Sequence, residues 1–240
     1  MTDDADLLEH VREALRADLR IGFDDRPITL SLSDGHLVME GELADVGKKR
    51  RALRKASEAA KGRFIIDRLR IEPAVPMEDG TIRDLVCDAL LDEPALSQCR
   101  IRLWAKGDLQ AVRDPPGATG TIDIRVKDGA VTLDGDVIGL GQKRLAGALA
   151  WWVPGSRDVI NGLGVTPPEV DNDFEIADAV RLVLEKDPFV NADQLRIGVR
   201  NAVVALDGIV PTEDERDVAE HDAWYVFGVE DVINRIEVER

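Results

Sequence analysis

Three stretches, VALDGIV at 204–210, VTLDGDV at 131–137 and LVMEGEL at 37–43, share one pattern: alternating apolar residues, an acidic residue, a glycine and a further apolar residue. Each reads as a strand running into a turn at its glycine. Setting Gly41, Gly135 and Gly208 in register shows that the repeat extends well beyond seven residues. Two positions on stand Leu43, Val137 and Val210; eleven on, Ala52, Ala146 and Ala219; fifteen on, Ala56, Ala150 and Ala223. Small residues four apart lie on one helical face. Twenty-five on, Ile66, Ile160 and Ile233 open segments that alternate as half-buried strands do.

Upstream of the glycine the copies also agree. ITLSLSDGHLVMEG (28–41), IDIRVKDGAVTLDG (122–135) and LRIGVRNAVVALDG (195–208) each read as strand, tight turn, strand. Asp-Gly between apolar runs is a hairpin signal, because the turn needs positive φ at its central residues. Gly35 and Gly129 fill that role, and Gly41, Gly135 and Gly208 are taken as structural turn glycines with them. The third copy has Asn201-Ala202 at the hairpin, where alanine is a poor fit, so a shifted or different turn is expected there. Before each hairpin comes an amphipathic helix: DLLEHVREAL (6–15), IRDLVCDAL (82–90) and EIADAVRLVL (175–184).

The fold class expected is α+β: three tandem α-β-β-α-β modules, each a small three-stranded sheet covered on one face by two helices. Proline-containing joins at 72–80 and 166–173 place the modules at 1–73, 78–167 and 171–240. The second is the longest, with 45 residues from Leu90 to Gly135 against 26 from Leu15 to Gly41 and 24 from Leu184 to Gly208. About 20 residues are therefore inserted around 99–120. The insertion reads as an extension of the hairpin, an added strand or a binding loop anchored by Trp104.

These residues resemble the BON domain, named for bacterial osmotic-stress and nodulation proteins. The resemblance is carried by the helix followed by DG.V.L.G, by the central alanines of the second helix, and by the closing GVEDVINRIEV (228–238). GSRDVINGLGV (155–165) repeats that ending closely, and KGRFIIDRLRI (61–71) is the most divergent version. It spans about 200 of the 240 residues. It implies non-catalytic modules of the bacterial envelope and stress response, associated with protein partners and phospholipid surfaces.

The composition is that of a soluble globular chain, with 44% hydrophobic and 32% charged residues. A net charge of −16 argues against nucleic-acid binding, since a polyanion would be repelled. The charge is uneven: −1 over residues 1–73, −3 over 74–168 and −12 over 169–240. No export signal or spanning segment is visible, which gives a cytoplasmic expectation. Cys87 and Cys99 are expected as free thiols.

Two features are candidate binding residues. The run KKRRALRK places Lys48, Lys49, Arg50, Arg51, Arg54 and Lys55 on the second helix of the first copy, suited to an anionic membrane surface or an acidic protein partner. Trp151 and Trp152, matched in the third copy by Trp224 and Tyr225, are adjacent helical residues about 100° apart and cannot share one core. One of each pair is exposed or meets a neighbouring module. Trp104 joins them as an aromatic anchor.

No catalytic motif, cofactor or metal ligand set is found, and His10, His36 and His221 occupy unrelated repeat positions. The expectation is a non-enzymatic scaffold that binds a protein partner or itself. The alternatives are peripheral attachment to anionic phospholipid and a small-ion or small-molecule sensor.

Overall fold

The computed structural model describes residues 2–239, which divide into two compact units at Glu72/Pro73. In the first, α1 (Thr2–Ala17) precedes the hairpin β1 (Thr29–Ser33) and β2 (His36–Leu43), followed by α2 (Val46–Ala59) and β3 (Ile65–Ile71). The sheet order is β1-β2-β3, with β1 antiparallel and β3 parallel to β2. Val11 and Leu15 of α1, Ala52 and Ala56 of α2, and Leu30, Leu37, Met39, Leu43 and Leu69 from the sheet form one core. The alanines are fully buried, and their small size lets α2 lie close on the strands.

The second unit holds two modules. One comprises α3 (Asp79–Asp92), β4 (Cys99–Ala105), β5 (Asp108–Arg113), β6 (Gly120–Lys127), β7 (Ala130–Val137), α4 (Leu140–Trp152), β8 (Asp158–Asn161) and β9 (Gly164–Val165). The other comprises α5 (Asp173–Lys186), β10 (Leu195–Arg200), β11 (Val203–Val210), α6 (Glu213–Tyr225) and β12 (Asp231–Val238). Its sheet, β10-β11-β12, repeats the topology of the first unit, including the parallel closing strand.

The middle module departs from the three-stranded expectation. Its sheet has six strands, ordered β5-β4-β6-β7-β8 with β9 also on β7. The inserted residues are therefore no loop. Lys106 and Gly107, both at positive φ, turn them into a hairpin, and β4 lies parallel to β6. The closing strand is broken into β8 and β9 at Gly162, whose N–H bonds to the Leu133 carbonyl at 2.8 Å.

Three of the five glycines taken as turn residues are not at turns. Gly41, Gly135 and Gly208 lie inside β2, β7 and β11, and the strands run on to Leu43, Val137 and Val210. The need for glycine is close approach of the neighbouring chain: a Cβ on Gly135 would stand 2.2 Å from the Thr121 carbonyl oxygen, and one on Gly208 2.3 Å from that of Gln194. Gly35 and Gly129 do sit in the hairpin turns, at φ 81° and 74°.

The third hairpin is not shifted. Asn201 and Ala202 both adopt the left-handed conformation, at φ 51° and 60°, matching Asp128-Gly129 of the middle module. The strain at Ala202 is offset by Asp173 at the start of α5, whose carboxylate accepts from the N–H groups of Asn201 and Ala202, each at 2.8 Å. Asp79 at the start of α3 clamps Asp128 and Gly129 in the same way, at 2.9 and 2.8 Å.

Candidate interaction surfaces

Of the aromatic residues expected as anchors, Trp151, Trp152 and Tyr225 build the joint between the middle and last modules. Along α4 every residue from Arg144 to Trp151 is buried, because the helix packs on its own sheet and also against α5 and α6. Trp151 stacks on Tyr225 with ring centroids 5.7 Å apart and planes 11° from parallel. Trp152 donates its indole N–H to Asp222 Oδ1 at 2.7 Å, and Trp224 is buried. The sequence expectation leaves one of each pair exposed or against a neighbouring module; here both Trp151 and Trp152 reach the last module, through Tyr225 and Asp222.

Sequence reasoning missed the polar half of this joint. Arg144, fully buried in α4, donates to Asp171 Oδ1 at 2.5 Å and to the Phe227 carbonyl at 2.9 Å. Lys143 lies 4.4 Å over the Phe227 ring, and burial, reinforced by Arg144, pushes its amine below the ordinary lysine range. Glu169, in the join between the modules, accepts from the Leu140 N–H at 2.8 Å and so caps α4, whose N-cap residue Gly139 has no side chain to do so. Lys186 reaches back to Glu93 at 2.9 Å.

Asp222 is the most perturbed group of the joint. Burial pushes its carboxyl up to about 8; the Trp152 N–H opposes this, and neighbouring Asp187 adds to it by disfavouring a second charge. Asp222 Oδ2 is buried without a hydrogen bond of normal geometry, consistent with a carboxyl that keeps its proton. Small signals did exist in the sequence: an arginine at the head of the apolar run 145–152, and an aspartate two residues before the buried Trp224.

The basic run does not form one exposed cationic face. Lys49 is 5% exposed and is held within its own module, its ammonium 2.9 Å from both the Leu69 carbonyl and Asp67. Arg51 is buried too, and Lys48, Arg50, Arg54 and Lys55 are half-buried. Lys48 and Lys55 pair with Asp45 and Glu58 on the same helical stretch, at 3.9 and 3.2 Å. Eight consecutive helical residues go twice round the axis, so six charges among them cannot all point one way.

Trp104 sits on β4, on the sheet face away from the helices, with the Arg125 guanidinium 4.5 Å over its ring. Beside it Arg102 and Asp123 form a two-armed ion pair, both contacts 2.6 Å. Arg113 of β5 fastens the inserted hairpin to the main body by donating to the carbonyls of Leu91, Leu96 and Cys99. The outer sheet face of the middle module also carries exposed Ile160, and that of the last module carries exposed Ile209 and Ile233. An ion pair between Asp207 and Arg235, 2.8 Å, lies among the latter.

Cys87 and Cys99 are buried free thiols, and burial raises both above the usual thiol range. Among the described residues no three His, Cys, Asp or Glu side chains cluster as a metal site, and no helix is long and apolar enough to cross a membrane.

The model of the BON domain family matches residues 3–73, 110–167 and 172–240. No curated protein matches the chain. Among solved structures, the C-terminal domain of CdsD, the structural protein of the Type III secretion system of Chlamydia trachomatis, aligns at 12% identity over 98% of this chain and 98% of that one, with a TM-score of 0.26. A second CdsD structure aligns at 12% identity over 98% and 92%, with a TM-score of 0.25. These values leave the family match as the comparison that bears on the fold.

Proposed function

From the premise that this chain belongs to the BON domain family, we propose that it is a non-catalytic scaffold that binds protein partners, another copy of itself included, through its sheets. The modules are taken as 1–73, 78–167 and 171–240. The observation carrying this reading is how the last two spend their surfaces. Trp151, Trp152, Tyr225 and the buried length of α4 are taken up in joining the two modules, while Ile160, Ile209 and Ile233 on the sheets stay exposed. A protein interface sets an apolar centre within a polar rim, and these isoleucines beside the Asp207–Arg235 pair can supply both. Repetition adds effective concentration, so several weak contacts on one chain act together. A role in the bacterial envelope or osmotic stress fits the family.

Anionic phospholipid is the second reading, and the basic run remains its best contact. Burial of Lys49 and Arg51 weakens it, because a lipid-facing helix presents its charges to solvent. The test is in-cell crosslinking with a photoreactive residue at Ile209 or Ile233, compared with one at Lys48 or Lys55. Protein adducts from the isoleucine positions are expected. Lipid adducts from the lysine positions, with none from the isoleucines, would overturn the proposal.

A further inference from the structure

The middle module carries a strand that its neighbours lack, and that strand shows what the module edge can hold. In every copy the first hairpin strand is the sheet's outer neighbour: β1, β6 and β10 occupy equivalent places, fixed by their pairing with the strand that holds the repeated glycine. On β6 this edge is filled by β4, in parallel, with Ile101 opposite Ile122, Arg102 opposite Asp123 and Leu103 opposite Ile124. The apolar side of β4 turns inward, where Cys99 and Ile101 are fully buried in one core with Cys87 of α3. Its charged side turns outward, where Arg102 and Asp123 pair.

On β10 the edge is open. Arg196, Gly198 and Arg200 are exposed, and inside the edge a groove of about 310 Å³ runs between α5 and β10, lined by the apolar Phe174, Ala177, Ile197 and Val199 and the charged Asp173, Asp178 and Arg181. Phe174 is 79% exposed. Arg181 stands where α3 has the buried Cys87, three residues before the matching leucine in each helix. An open strand edge presents unpaired backbone N–H and C=O groups, a template for a further strand.

We propose that the β10 edge takes one added strand, in parallel, from a protein partner that places a carboxylate opposite Arg196 and apolar side chains on either side of it. The charge follows from register. Arg196 pairs with Asp207 as Asp123 pairs with Asp134, so Arg196 occupies the place where Asp123 receives Arg102, with the sign reversed. Apolar neighbours follow from Leu195 and Ile197, which stand where Ile122 and Ile124 receive Ile101 and Leu103. Among the described residues Arg196 and Arg200 make no ion pair, whereas Asp207 is already held by Arg235. The two arginines also set the partner's class: a second copy's β10 would bring like charges edge to edge, so the occupant is a different, acidic strand. The β1 edge, with Thr29 at the equivalent position, lacks this selectivity.

This inference rests on the protein-binding reading and names the partner's chemistry at one edge. The test uses the full chain and two peptides spanning residues 98–114, both with Cys99→Ala, one otherwise unchanged and one with Arg102→Glu. The Arg102→Glu peptide should bind about fivefold more tightly by fluorescence anisotropy, as a surface charge pair exchanged for a repulsion allows. Arg196→Glu in the chain should reverse that preference, and amide exchange should slow across Arg196–Arg200. Failure of both peptides to bind, equal binding of both, or protection confined to other strands would overturn the inference. Crosslinking from Ile209 and Ile233 reads the scaffold proposal separately, so the two can fail independently.

Discussion

Trp152 of the middle module and Asp222 of the last are joined by one hydrogen bond of 2.7 Å from the indole N–H to a buried carboxyl. The contact lies inside the surface that makes two modules one compact unit. Asp222 is held neutral there by burial, with Asp187 beside it.

Stability should therefore fall as the solution becomes alkaline. The folded carboxyl titrates at about 8, above its ordinary 3.8, so between those values the folded chain keeps a proton that the unfolded chain has released. The stabilising contribution of protonated Asp222 is full below about pH 4, declines through the interval and is gone above about pH 8. Thermal unfolding should show a lower Tm at pH 9 than at pH 6. Asp222→Asn keeps a neutral acceptor for Trp152 and should flatten that slope; equal slopes in both proteins would refute the assignment.

Arg144 is the other polar member of the joint, and its removal should be costly. Arg144→Ala leaves a space and strips the Phe227 carbonyl of its donor, with Asp171 still partly open to water. A loss of about 3 kcal/mol in urea unfolding is expected, in the range for breaking a buried pair. A loss under about 1 kcal/mol would mean that the joint does not depend on it.

The hairpin at Asn201-Ala202 offers a gain. Ala202 at φ 60° carries a penalty that glycine would not. Ala202→Gly should stabilise the chain by about 0.5–1 kcal/mol. Asp173→Ala, which frees two backbone N–H groups, should cost about 1–2 kcal/mol. Chemical denaturation of the two single variants measures both.

The three repeated glycines should differ in tolerance. Gly135→Ala and Gly208→Ala drive a methyl into a backbone carbonyl and should each cost about 2–3 kcal/mol. At Gly41 the nearest carbonyl oxygen is 3.3 Å away, so the alanine variant should cost less. Gly198→Ala, with nothing within 4 Å, gives the control for a strand position. Equal losses at Gly41 and Gly208 would remove close approach as the reason for the repeat.

Much of the fold was legible because it is written three times. The alanine pairs, the hairpins and the closing strands recur at fixed spacing, and each lands on the core or the turn that its period implies. An added strand is among the readings of the insertion, but its pairing was not legible: Arg102 and Trp104 alternate with apolar residues as any edge strand does, and nothing local says which edge β4 will join. The strand glycines were misread because the pressure on them comes from the chain across the sheet, at Thr121 and Gln194, and not from their own neighbours. The joint was half legible. Adjacent tryptophans on a helix demanded two surroundings, but Arg144, Asp171 and Asp222 are distant in sequence and meet only after the modules dock. The basic run misled for the opposite reason: composition suggested a patch, while helical geometry spread it and Asp67 drew Lys49 inside.

The central claim is that this chain binds proteins through its sheets and not membranes through its basic helix. Co-sedimentation with anionic and zwitterionic liposomes, at low and at physiological salt, tests it most directly. The account predicts that the chain stays in the supernatant with both lipids at physiological salt. Pelleting with anionic vesicles alone, reduced by salt and abolished by neutralising Lys48, Arg50, Arg54 and Lys55, would contradict it and make the helix a lipid contact.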